Sequence, residues 1–97
     1  MPTFEEIRDR IGPFINEYGI RKVGVFGSYA RQQANESSDI DLLFDFQKTF
    51  GLIGLSRLKL CLEESLGKHI DIVEFSSIDP MIRDSILKDT VLIYEQR

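Results

Sequence analysis

Three aspartates and one glycine–serine pair are the residues of this sequence best suited to chemistry. Asp39 and Asp41 stand two apart in the run Ser38-Asp39-Ile40-Asp41-Leu42-Leu43, so on a strand both side chains project from one face. Asp71 lies between apolar neighbours in Ile70-Asp71-Ile72-Val73. If the two segments pair side by side, Asp71 comes within roughly 5 Å of Asp41, the spacing of neighbouring strands. Three carboxylates that close repel one another unless a cation joins them, and hard oxygen ligands suit Mg²⁺ or Mn²⁺. Two such ions about 4 Å apart are the usual device for in-line displacement at phosphorus.

Gly27-Ser28 supplies the complementary half of such a site. It follows an apolar strand and precedes a helical segment, so glycine admits a phosphate close to the backbone while the helix start offers free N–H groups. The Ser28 hydroxyl adds a donor. The distance in sequence from Ser28 to Asp39 accommodates a short helix and a turn, which brings the phosphate cradle back beside the acids.

The elements that must position these residues are legible in order. Thr3 and Glu6 form a capping box, and Ile7, Ile11, Phe14, Ile15 and Tyr18 follow at helical spacing up to a stop at Gly19. Residues 21–26 form a short strand with Val23 and Val25 on one face. Tyr29 to Gln33 opens a second helix, and Asn35 to Ser38 is a polar loop. Residues 40–46 alternate cleanly: Ile40, Leu42, Phe44 and Phe46 face one way, and Asp39, Asp41, Leu43 and Asp45 the other. A helix over 52–66 buries Leu55, Leu58, Leu62 and Leu66 and ends at Gly67. A third strand covers 69–75. Asp79-Pro80 starts a helix carrying Met81, Ile82, Ile86 and Leu87, and residues 91–94 close the order as an extended segment. Helix and strand alternate throughout, which makes an α/β or α+β domain.

Composition narrows the functional classes. The 97 residues are 42% hydrophobic, enough for one core, and sixteen acidic against twelve basic side chains leave a net charge of −4. That balance argues against a broad nucleic-acid footprint, which needs clustered Lys and Arg. Cys61 has no partner for an internal disulfide and reads as a small core residue. The sequence shows no signal-peptide pattern and no apolar run long enough to cross a bilayer, so a soluble cytoplasmic protein is expected. Asp45 shares the acidic face but lies a further residue pair along and reads as solvated. His69 shares a face with Asp71 and reads as a strand-edge histidine without a catalytic part.

Taken together, Gly27-Ser28-Tyr29-Ala30-Arg31, Ala34, the run Ser38 to Leu43 and Asp71 resemble the signature of the minimal nucleotidyltransferases in the DNA polymerase β-like superfamily. The likeness extends from about Val23 to the C-terminus. It implies a single domain over 1–97, with a mixed sheet of about four strands flanked by helices. It further implies two Mg²⁺ ions held by Asp39, Asp41 and Asp71, and ATP phosphates held by Gly27 and Ser28. Arg31 is a further candidate for the phosphates, with pairing to a nearby carboxylate such as Asp41 as the alternative. Domains of this kind resemble the antitoxin half of toxin–antitoxin pairs whose toxin is a HEPN ribonuclease. The resemblance therefore implies transfer of AMP from ATP to a tyrosine of that partner, within a hetero-oligomer. Two departures stand out: Gln32 replaces the family's common glycine, and the following loop lacks its frequent proline. Gln32 keeps open a second reading, a non-catalytic module that silences a toxin by occlusion. Transfer to RNA or a small molecule is a third reading, disfavoured by the acidic balance.

Overall fold

The computed structural model describes residues 1–96. Four strands form one mixed sheet in the order β3-β2-β1-β4, with β1 at Ile20–Phe26, β2 at Ile40–Phe46, β3 at Ile70–Glu74 and β4 at Val91–Glu95. β1 pairs antiparallel with both β2 and β4, whereas β2 and β3 run parallel. Parallel neighbours need a crossover connection, and α4, Leu52–Leu66, supplies it.

One face of the sheet holds the core. Val23, Val25, Ile40, Leu42, Phe44 and Ile70 are fully buried there against Ile7, Ile11, Leu58 and Leu62 from the helices. The alternation of β2 puts Ile40, Leu42, Phe44 and Phe46 into this layer, as its spacing demands. Tyr18 ties the layer to α4 through a hydroxyl donated to the Gly54 carbonyl at 3.1 Å.

The first helical stretch is broken, where spacing alone suggested continuity. α1 runs Phe4–Ile11 from the Thr3–Glu6 capping box, a 3₁₀ turn takes Gly12–Phe14, and α2 covers Ile15–Tyr18. Pro13 has no N–H to donate, which interrupts the ladder. Gly19 then ends α2 with φ +59. β3 is shorter than expected because the chain turns into a 3₁₀ segment at Phe75–Ser77. α5, Pro80–Lys88, starts on Asp79 as expected, its carboxylate accepting from Met81 N–H at 2.9 Å. Its Met81 and Ile82, however, are exposed and no residue of the helix is fully buried. Cys61 is only partly buried, on the outer side of α4 with Leu52, Ile53 and Leu60, and is not a core residue.

Candidate active site

The opposite face of the sheet carries the acids. The parallel register sets Asp41 directly beside Asp71, and β1 places Phe26 on the other side of Asp41. The next residue, Gly27, begins α3, a single turn over Gly27–Ala30. Its φ of +72 favours glycine, and a Cβ at that position would run into the Asp41 carboxylate. Glycine is therefore required here by the acid as well as by any phosphate. From the end of β1 at Phe26–Gly27 through Asp41 to Asp71 the site runs in a line across three adjacent strands.

The Asp41 pKa is raised from 3.8 to about 6, first by burial and then by the charge of Asp71, the hydrogen bond between the two carboxyls and the charge of Asp39, with Arg31 pulling the other way. Asp71 is exposed and Asp41 partly buried, so the pair opens to solvent on the Asp71 side.

Asp39 is exposed one residue before β2 and acts on Asp41 by charge. Among the described residues, no three His, Cys, Asp or Glu side chains are drawn together closely enough to hold an ion. The structure thus brings Asp41 and Asp71 together and leaves Asp39 at their edge. The donor set still suits a divalent ion: it is all carboxylate, and Asp41 is held at a cost that a cation would relieve.

The loop that delivers Asp39 is more ordered than its polar composition suggests. Asn35 Oδ1 accepts from Ser37 N–H and Oγ at 2.9 and 2.7 Å, and Asn35 N–H donates to Ser38 Oγ at 2.9 Å. Lys68 then donates to the carbonyls of Asn35, Glu36 and Ser38 at 3.4, 2.7 and 3.2 Å. Sequence reasoning missed Lys68. Its position before the third strand gave no sign of a bridge across to the loop.

Two other residues behave differently from the simplest expectation. Arg31 does not pair with Asp41; its Nη1 lies 3.6 Å from Asp89 Oδ2 and its Nε donates to Gln33 Oε1 at 3.2 Å. Gln32 does adopt the left-handed backbone that glycine would favour, with φ +59. His69 points away to Glu63 Oε2 at 3.3 Å, and that carboxylate also accepts from Ile70 N–H at 2.9 Å. Asp45 is partly buried further along the face, in register with Lys22.

The family model described as Polymerase beta, Nucleotidyltransferase matches residues 9–97. A Methanocaldococcus jannaschii protein, provisionally named a protein adenylyltransferase, is 43% identical over 89 residues, covering 92% of this chain and 96% of the relative. Protein adenylyltransferase MntA of Thermococcus cleftensis is 37% identical over 97 residues, covering 96% and 98% respectively. A solved toxin–antitoxin structure with AMP-PNP shares the fold at a TM-score of 0.80 and 18% identity, over 93% of this chain and 74% of that one. A structure of tri-AMPylated Shewanella oneidensis HEPN toxin with MNT antitoxin does so at 0.74 and 17%, over 97% and 74%. No helix among the described residues is long and apolar enough to cross a membrane.

Proposed function

Because this chain belongs to the polymerase beta nucleotidyltransferase family, we propose that it is a protein adenylyltransferase that moves AMP from ATP to a hydroxyl of a HEPN-type toxin, a tyrosine, and so acts as the antitoxin. The observation that carries this reading is the line Gly27–Asp41–Asp71, with two carboxylates in register and a glycine pressed against the first.

In this reading the backbone N–H groups at Gly27 and Ser28, with the Ser28 hydroxyl, bind the β- and γ-phosphates of ATP. Asp39, Asp41 and Asp71 would hold Mg²⁺, which supplies charge neutralisation of the triphosphate and acidifies the acceptor hydroxyl. Asp71, open to solvent, orients that hydroxyl and takes its proton. The acceptor oxygen bonds to the α-phosphorus as the α–β bridge breaks, and pyrophosphate leaves. The acids are the attacking side and the glycine–serine turn the leaving side.

The test is to incubate the chain with α-labelled ATP, Mg²⁺ and a HEPN-type toxin. Label is expected on that protein, and Asp41→Asn or Asp71→Asn should cut the rate by at least about 10²-fold while the fold persists. Undiminished transfer in both variants would remove this site from the chemistry. The left-handed Gln32 is the one observation favouring the occlusion module; a tight complex that never acquires label would decide for it.

A further inference from the structure

Arg31 is the residue of the glycine–serine motif whose part is left open by the acids and the turn. Its guanidinium is held at two points, by Gln33 Oε1 on Nε and by Asp89 Oδ2 near Nη1. Both holders are themselves fixed by backbone. The left-handed turn at Gln32 folds the chain back so that Gln33 N–H donates to the Ser28 carbonyl at 2.9 Å. Asp89 closes α5, with its N–H on the Ile86 carbonyl at 3.2 Å. The next residue, Thr90, locks that helix end to the sheet: Oγ1 donates to the Ile86 carbonyl at 2.6 Å, and its methyl occupies the space that a side chain at Gly24 would need.

With Nε and Nη1 engaged, Nη2 is the edge of the fork left for an anion. Arg31 N–H bonds the Gly27 carbonyl at 3.2 Å, so the side chain starts one turn from the phosphate cradle. We propose that Asp89 and Gln33 are positioning residues that fix Arg31 beside Gly27 and Ser28, so that it takes a triphosphate oxygen of the bound nucleotide. This rests on the nucleotidyltransferase reading above. Both members of the Arg31–Asp89 pair are about half exposed, at 46% and 53%, and such pairs contribute little to stability. The effect therefore belongs in nucleotide binding and not in melting temperature.

The experiment is MgATP titration of the full chain by calorimetry, with thermal melting alongside. Asp89→Asn is expected to weaken MgATP about three- to tenfold, the scale of a loosened charge-assisted contact, with the melting temperature unchanged. Asp89→Glu should restore binding. Arg31→Ala should lose more, and adding Asp89→Asn to it should lose nothing further. Wild-type affinity in Asp89→Asn, or an equal extra loss on the Arg31→Ala background, overturns the positioning role. A wild-type chain that fails to bind MgATP overturns the parent reading and this one with it.

Discussion

At the scale of single residues, Asp41 decides how the site responds to pH. Its carboxyl is raised from 3.8 to about 6, mainly by burial and then by Asp71. An acid whose folded pKa lies above its unfolded one stabilises the fold while protonated. That contribution is full below about 3.8 and is lost as pH climbs through about 6. Metal-free protein is therefore expected to lose melting temperature between about pH 4 and 6 and to level off above that, and Asp41→Asn should flatten that slope. Added Mg²⁺ should restore wild-type stability above about pH 6 and do little below it, because protons then compete for the same oxygens. Thermal melts across pH, with and without Mg²⁺, check both. No Mg²⁺ response near pH 7.5 would sink the metal assignment. The two-residue spacing of Asp39 and Asp41 and the apolar frame of Asp71 made these acids readable in the sequence. The partners of Arg31 were not, because Asp89 is brought to it by packing at the far end of α5 and not by any local pattern.

At the scale of elements, strands with strict alternation were legible to the residue: β2 begins and ends where its pattern says. So was α4, bounded by its leucine stripe and by Gly67 with φ +67. Breaks and short turns were harder. Pro13 splits the first helix even though the apolar spacing runs straight through it. After β1 the chain makes one helical turn and then the left-handed step at Gln32. A non-glycine residue there carries strain of about 1 kcal/mol, partly offset because glutamine narrows the unfolded ensemble more than glycine does. Gln32→Gly should therefore raise stability by only about 0.5 kcal/mol, read from the urea midpoint. A clear loss of stability would mean that the glutamine side chain is making contacts beyond those described.

At the scale of the whole molecule, the core and the site share one sheet but occupy opposite faces. Leu62 is fully buried beneath the sheet on α4, which also forms the crossover that brings β3 beside β2. Leu62→Ala is expected to cost about 2–5 kcal/mol. For a domain with a total margin of about 5–15 kcal/mol, that is enough to shift the denaturant midpoint visibly, and a loss under about 1 kcal/mol would mean α4 is loosely seated. The crossover has a temporal side as well. Gly27, Ser28, Asp39 and Asp41 all come from the stretch up to residue 46, joined by an antiparallel pairing that closes over α3 and the polar loop after it. Asp71 arrives only after the whole of α4 has been made and has docked. On the proposed mechanism, a chain part-way off the ribosome would own the phosphate-binding turn and two of the acids yet stay inert, and the last acid would act as a seal of completion, withholding reactivity from every unfinished copy.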